Sequence, residues 1–284
     1  MMKNVLLSAF ADEYSSDIDV QLSMLNENKI SYIEPRFVGE KNISNLSENE
    51  AKELRDKLSL HGIAVSSIGS PLGKIKLSDD FSAHTERAKR TFETANILGT
   101  KNVRMFSFYM RSGQSRTEAR GEVIERIDEL IELADSRGIT LCHENEGGIY
   151  GESPEDCLDL LSFFGGRLRQ VFDMGNFILG GYSPYPEAFS RLKPYIEYFH
   201  IKDALRAKAI VPPGLGEAMI PDILKDFSSS CASPFFITLE PHLEVFGGLN
   251  KLTNSKINNP YKFESAQVAF IEAVRRIKNI IGAD

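Results

Sequence analysis

The sequence predicts an α/β fold in which eight parallel β-strands alternate with eight α-helices and close into a (β/α)8 barrel. Three observations favour this fold. Strand-like segments recur about every 30 residues. Stretches with the periodicity of amphipathic helices lie between them. The chain has 284 residues, which suits one such barrel, typically ~250 residues long.

The predicted strands are rich in β-branched and aromatic residues and lack helical spacing. They are VLLSAFA (5–11), YIEPRFV (32–38), AVSSIGS (64–70), NVRMFSF (102–108), TLCHENE (140–146), QVFDM (170–174), YFHIKD (198–203) and FFITLEP (235–241). No linker rich in Gly, Ser or Pro divides the chain, so we expect residues 1–284 to form one domain.

Helices are predicted in the intervals. Ser47 begins a capping-box pattern, and Ser153 followed by Pro154 is a typical helix start. The predicted helices cover 16–29, 47–61, 79–98, 117–137, 153–164, 186–192, 221–227 and 261–281. The alternation predicts a parallel sheet with right-handed crossovers. An open doubly wound sheet would alternate in the same way, but no GxGxxG motif follows the first strand.

Composition limits the classes of function. Hydrophobic residues make up 42% of the chain and charged residues 26%, as in a globular protein with a large core. The net charge of −7 argues against broad binding to the phosphate backbone of a nucleic acid. No segment approaches the ~20 apolar residues of a membrane span, and we expect the first apolar run to be a strand rather than a signal peptide. Three scattered cysteines form no disulfide framework, which predicts a cytoplasmic location.

Acidic residues and a histidine occur late in four consecutive predicted strands. They are Glu144, Asp173, His200 and Glu240. Because the carboxyl ends of barrel strands converge on one mouth, these side chains are expected to meet there. Charged groups in such a place are costly unless they are paired or bind a metal ion. The residues alone leave open a second reading, in which the acids are solvated or salt-bridged loop residues.

The local sequences around these positions resemble the sugar-phosphate isomerase/epimerase family, the xylose isomerase-like TIM barrels. They are ENE (144–146), DMGN (173–176), HIKD (200–203), PGLGE (213–217) and LEPH (239–242). The resemblance covers nearly the whole chain and is most specific in the second half. In the first half, ADE (11–13) and SPLGK (70–74) look like a subgroup signature.

The resemblance implies one divalent metal ion, with Glu144, Asp173, His200 and Glu240 as its ligands. In the epimerase branch the two glutamates also act as an acid/base pair, which implies that role for Glu144 and Glu240. This oxygen-rich donor set suits Mn²⁺, Mg²⁺ or Co²⁺ and is compatible with Zn²⁺. The chemistry implied is proton transfer next to a carbonyl, through a metal-stabilised enediolate.

Further residues are candidates for substrate binding. The resemblance implies that Arg206, six residues after the metal histidine, contacts substrate oxygens. Asn176 stands where the epimerase branch has a histidine, which is a departure from that branch. Glu146 and His242 are also expected near the mouth.

Lys202 is expected either to bind a substrate oxygen or to pair with Asp203 or Glu217. Arg36 and Glu34, at the end of the second strand, are expected to pair with each other.

Three other expectations concern structure more than binding. Arg104 is expected to form a salt bridge inside the barrel, and His84 to lie on a helix surface. The long segment 242–259 is a candidate lid over the mouth.

These inferences favour a divalent-metal-dependent isomerase or epimerase of a small sugar, keto-sugar or polyol, phosphorylated or not. The alternative is a metal-dependent dehydratase or lyase on a keto-polyol, similar to inosose dehydratases. A non-catalytic binding protein is less favoured. So is a DNA-repair endonuclease of this fold, because it needs a His-rich zinc cluster and the chain has five His. Related barrels form dimers or tetramers, so a homo-oligomer is compatible with the resemblance.

Overall fold

The computed structural model describes residues 2–244 and 259–283. Its strands are β1 (Val5–Ala9), β2 (Tyr32–Ile33), β3 (Phe37–Val38), β4 (Lys41–Asn42), β5 (Ala64–Val65), β6 (Ile68–Leu72), β7 (Asn102–Met105), β8 (Thr140–Glu144), β9 (Leu168–Asp173), β10 (Ile196–Ile201), β11 (Asp203–Leu205), β12 (Ala209–Val211) and β13 (Phe235–Leu239). Its α-helices are α1 (Ile18–Glu27), α2 (Glu48–Leu60), α3 (Phe81–Leu98), α4 (Arg116–Asp135), α5 (Pro154–Phe163), α6 (Met174–Leu179), α7 (Phe189–Leu192), α8 (Ile220–Ser230) and α9 (Ala266–Ile281). The candidate lid lies almost wholly outside the described residues.

Parallel strands form the wall of the barrel. Seven of them make one sheet in the order β1-β13-β10-β9-β8-β7-β6, so the first and last strands are neighbours. The second strand position is held by β2, which pairs in parallel with β5. The N–H of Glu34 donates to the carbonyl of Ala9, and that of Gly69 to the carbonyl of Pro35. These contacts join the two ends of the sheet, and the predicted (β/α)8 TIM barrel fold is confirmed.

The second and third predicted strands are less regular than expected. Within 32–38, the parallel strand pairing stops at Pro35, because proline has no N–H to donate. The chain then forms β3, which pairs in antiparallel fashion with β4. The predicted strand 64–70 is divided into β5 and β6, with Ser66 and Ser67 between them. The Ser66 N–H still donates to the Ile33 carbonyl, so the break leaves the barrel joined.

The helices lie close to their predicted positions. Ser47 and Glu50 form the capping box at the start of α2, and the Ser153 side chain accepts the N–H of Asp156 at the start of α5. The short helix α6 was not predicted. It follows β9 without a loop, because Asp173 caps it directly. No helix in the described ranges is long and apolar enough to cross a membrane.

Strand alternation divides the buried side chains into two layers. On β10, Tyr198 and His200 point into the barrel, where Tyr198 packs with Cys142 and Val171. Phe199 points the other way and packs edge-to-face against Phe227 of α8, with ring centroids 5.0 Å apart. The outer layer therefore fixes each strand, while the inner face presents polar side chains at the mouth.

Candidate metal centre

The four predicted ligands meet at the carboxyl ends of β8, β9, β10 and β13. One donor atom from each of the four lies within 4.8 Å of the other three, and all four side chains are buried. Nδ1 of His200 is 3.1 Å from Oε1 of Glu144 and 3.5 Å from Oε2 of Glu240. Neighbouring ligands around an ion with bonds of ~2.1 Å are ~3–4 Å apart. The donor set and its spacing therefore fit one divalent ion.

Parallel register brings these residues together. His200 lies opposite Asp173 on the neighbouring strand β9 and opposite Thr238 on β13. Asp173 also uses Oδ1 to accept the N–H of Asn176 at 2.7 Å, which leaves Oδ2 directed at the site. The fourth candidate ligand, Glu240, follows the last residue of β13.

Lys202 lies among the candidate ligands. Its Nζ is 2.9 Å from Oδ2 of Asp173 and 3.0 Å from Oε2 of Glu240, and its side chain is 4% exposed. The expected pairing with Asp203 or Glu217 is wrong. The carboxylate of Asp203 instead accepts backbone N–H groups of the loop that follows it.

Arg36 is the second buried cation of the site. Its guanidinium makes two hydrogen bonds to Asp12, at 2.9 and 3.1 Å, and lies 3.4 Å from Glu13. It also donates to Oε1 of Glu240 at 2.9 Å. The expected pairing with Glu34 is therefore wrong, and the ADE segment (11–13) holds Arg36 against a candidate metal ligand.

Glu34 has a different role from the one expected. Its Oε1 accepts the hydroxyl of Tyr198 at 3.0 Å, and its Oε2 is 3.3 Å from Nε2 of His200. The third buried cation, Arg104, makes the ion pair expected inside the barrel, with Glu144 at 3.1 Å.

Two predicted substrate contacts lie beside the quartet. Nδ2 of Asn176 is 3.4 Å from Oε1 of Glu144, and its Oδ1 accepts from Lys202 at 3.2 Å. Nε2 of His242 lies 3.4 Å from Oε1 of Glu240 and 3.3 Å from Oε1 of Glu13. Both side chains can therefore contact a molecule that approaches the carboxylates.

The other two predicted contacts lie further out. Glu146 pairs with Lys74 at 2.8 Å in a partly exposed position. Arg206 is half-exposed at the rim, where its polar partners within the described chain are Glu217 and the carbonyl of Gly181. The structure therefore does not bring Arg206 to the candidate ligands.

Lys74 is a mouth residue that sequence reasoning did not identify, although it lies in the SPLGK segment. Its Nζ is 4.3 Å from the ring centroid of Phe106. The preceding Gly73 has φ +81°, and its N–H donates to Nε2 of His84 at 2.9 Å. His84 is buried, so the expectation that it lies on the surface is wrong. It holds the loop that carries Lys74.

The charges of the two glutamates are set by burial and by close partners. Burial acts to raise the pKa of Glu144, but His200 and Arg104 outweigh it and lower that pKa to about 2. Similarly, Lys202 and His242 outweigh burial and hold the pKa of Glu240 well below its usual range. Both groups are carboxylates at neutral pH, the form that binds a metal ion and accepts a proton.

Two other candidate ligands have raised pKa values. Burial raises the pKa of Asp173 to about 7, although Lys202 acts in the opposite direction. Burial alone would lower the pKa of His200, but Glu144 and Glu34 outweigh it and raise that pKa well above its usual range. Binding of an ion through His200 would require release of a proton, so metal affinity should fall as the pH is lowered.

The chain belongs to the xylose isomerase-like TIM barrel family, whose pattern matches residues 23–241. The comparison with solved structures gives relatives of the same fold. One is the probable 3-DHS dehydratase AsbF of Bacillus anthracis, involved in petrobactin synthesis. It has 19% identity and a TM-score of 0.72, over 98% of this chain and 99% of that chain.

Two further relatives carry a metal ion or a sugar. The IolI protein with a bound zinc atom has 17% identity and a TM-score of 0.74, over 97% of this chain and 98% of that one. The D-psicose 3-epimerase of Clostridium cellulolyticum H10, solved with D-tagatose, has 13% identity and a TM-score of 0.70, over 96% and 97% of the two chains. At these identities the likeness establishes the fold. No curated protein matches the sequence.

Proposed function

We propose that the protein is a divalent-metal-dependent isomerase or epimerase of a small sugar, keto-sugar or polyol. The observation that carries this proposal is the buried set of three carboxylates and one imidazole whose donor atoms lie within 4.8 Å of one another. Glu144, Asp173, His200 and Glu240 would hold Mn²⁺, Mg²⁺, Co²⁺ or Zn²⁺. The bound ion supplies a Lewis acid that polarises a substrate carbonyl.

Glu144 and Glu240 would carry the proton. One carboxylate removes a hydrogen from the carbon next to the carbonyl, and the other, once protonated, returns a proton to the substrate. Arg104 contacts one oxygen of Glu144 and lies 3.8 Å from Glu240, while Arg36 donates to Glu240. These fixed cations hold both carboxylates in place and favour their ionised form, so the glutamate that returns a proton must first take that proton from solvent water, while the proton removed from the substrate leaves the other glutamate for solvent.

The surrounding residues would bind the hydroxyl groups of the substrate. Asn176, Lys202 and His242 offer hydrogen-bonding groups beside the carboxylates, and Glu146 with Lys74 does so at the mouth. Arg206 would have to move inward from the rim to contact a substrate. A small carbohydrate, with an oxygen on nearly every carbon, suits such a lining.

Metal analysis and proton exchange test this proposal together. The purified protein should bind one divalent ion per chain and should exchange a hydrogen on the carbon next to the carbonyl of a ketose or keto-polyol with deuterated solvent. The variants Glu144→Gln and Glu240→Gln should lose this exchange but remain folded. Full exchange by both variants would contradict the acid/base role. Absence of metal, even after addition, would favour a binding protein.

A dehydratase or lyase on a keto-polyol is the second candidate. The observation that favours it is Asn176, which replaces the histidine of the epimerase branch, together with His242 beside Glu240. After one glutamate has removed the proton next to the carbonyl, the same carboxyl group could pass that proton to a β-hydroxyl group as it leaves as water. Burial lowers the pKa of His242 to about 4, so its neutral imidazole would orient this hydroxyl by a hydrogen bond. A product lighter by one water in mass spectrometry would identify this reaction, whereas a product of unchanged mass would identify an isomerase.

A further inference from the structure

We propose that Glu34 is a positioning residue of the metal centre, which fixes the ring of His200 so that Nδ1 faces the ion. This inference rests on the proposed function, in which His200 is a metal ligand. The two ring nitrogens of His200 face opposite sides. Nδ1 lies 3.1 Å from Glu144 on the ligand side, and Nε2 lies 3.3 Å from Oε2 of Glu34 on the other.

Glu34 is itself held in place. It is completely buried, and its second oxygen, Oε1, is 3.0 Å from the hydroxyl of Tyr198. A carboxylate only accepts, so Tyr198 donates this hydrogen bond. The same hydroxyl is 2.9 Å from Oγ of Ser67. A continuous chain of polar contacts therefore runs from Ser67 through Tyr198 and Glu34 to His200.

Two aromatic rings restrict the imidazole further. Phe10 meets the ring of His200 at a centroid distance of 5.1 Å and an interplanar angle of 78°, and Tyr198 meets it at 5.5 Å. Arg36, two residues further along the chain, is surrounded by Asp12, Glu13 and Glu240. Glu34 therefore directs its carboxylate to His200 instead of to Arg36. A carboxylate that accepts the far N–H of a histidine selects the tautomer whose near nitrogen binds metal, and strengthens that nitrogen as a donor.

Metal affinity tests the proposal without an assay of activity. Mn²⁺ and Zn²⁺ are titrated into the full-length protein against a competing chelator. We expect Glu34→Gln to weaken binding by ~10–100-fold, the usual effect of losing such a partner. Tyr198→Phe should weaken it less. The matched control is Glu197→Gln on β10, the strand that carries Tyr198 and His200. Glu197 pairs with Arg169 at 3.0 Å outside the site. The control should bind the ions as the wild type does.

The nitrogen signals of His200 provide a second, independent readout. In protein labelled with ¹⁵N-histidine, His200 is assigned by its loss in His200→Gln. Glu34→Gln should shift its Nε2 signal, whereas a variant that is only less stable would not. An unchanged Nε2 signal in Glu34→Gln would overturn the proposal, and so would an unchanged affinity of this variant for both ions.

The two proposals can fail separately. A wild-type protein that binds neither ion would remove the proposed function. The His200 signal of the metal-free protein would still decide the role of Glu34, because an unchanged signal in Glu34→Gln overturns that role whether or not an ion binds.

Discussion

The ammonium group of Lys202 lies 2.9 Å from Oδ2 of Asp173, the oxygen that this aspartate directs at the metal centre. Lys202 and an ion bound at this centre would therefore share one carboxylate. Without an ion, Lys202 compensates the buried charge of Asp173. With an ion bound, the same contact limits how much negative charge the ion receives. Lys202 is thus placed to set both the stability of the site and its affinity for metal.

The variant Lys202→Met tests whether Lys202 and a bound ion compete for the carboxylate of Asp173. The ion-free Lys202→Met protein loses the partner of two buried carboxylates, which should cost ~3–5 kcal/mol of unfolding free energy. Addition of Mn²⁺ should restore much of this loss, so the ion should raise the Tm of the variant more than that of the wild type. Differential scanning fluorimetry with EDTA or Mn²⁺ measures both values. Lys225→Met, at an exposed position of α8, is the control. Equal shifts in all three proteins would contradict the prediction.

Arg36 should be far more important for stability than a surface arginine that also contacts three acidic side chains. Arg36→Gln removes the buried cation that Asp12, Glu13 and Glu240 share and should cost ~3–5 kcal/mol. Arg167 also contacts three acidic side chains, but it is exposed. Arg167→Gln should leave the free energy of unfolding nearly unchanged, because exposed ion pairs contribute little. Urea unfolding of the two variants compares them, and similar losses would refute the distinction.

Gly73 should tolerate no side chain, whereas Gly62 should tolerate one at modest cost. Both have positive φ, +81° and +66°, so alanine is strained by ~1–2 kcal/mol at either site. A Cβ at Gly73 would in addition lie 1.8 Å from the carbonyl oxygen of Phe106, while a Cβ at Gly62 meets nothing within 4 Å. Thermal unfolding should therefore show a clearly larger loss for Gly73→Ala. Equal losses would show that the loop before Lys74 can move away from Phe106.

His84 should make stability depend on pH. Its burial, assisted by Arg87 and Arg126, lowers its pKa from 6.5 to about 4. Between these values the unfolded chain binds a proton that the folded protein does not, so stability falls as the pH is lowered from about 6.5 to about 4. The shift corresponds to roughly 3 kcal/mol. His84→Gln should flatten this part of the profile, measured by urea unfolding at several pH values. An unchanged slope would assign the dependence to other groups, such as buried His143.

The sequence was sufficient to predict the fold and the meeting of the quartet, because both follow from local periodicity and strand ends. His84 could have been placed correctly as well. It lies four residues before Ala88, which precedes Phe92 by four, so all three occupy the buried face of α3. The error came from treating a histidine on a helix as polar surface.

The partners of the buried cations could not be predicted in the same way. Glu34 and Arg36 share a face of one strand, but whether they pair depends on Asp12 of another element. Lys202 is next to Asp203 in sequence, yet backbone N–H groups occupy that carboxylate. Such choices depend on tertiary contacts between segments far apart in the chain. The single domain, the cytoplasmic location and the homo-oligomer stay predictions.

The irregular second strand of the barrel is also the segment that contacts the candidate metal centre. Regular pairing there is limited to Tyr32–Ile33, and the next residues, Glu34 and Arg36, reach across to His200 and Glu240. The segment that closes the cylinder through its backbone hydrogen bonds thus also contacts two candidate metal ligands through its side chains. Fluctuations that part this strand from its neighbours must also disturb the ligands. Slower amide hydrogen exchange around Glu34 would therefore report that an ion occupies the candidate metal centre.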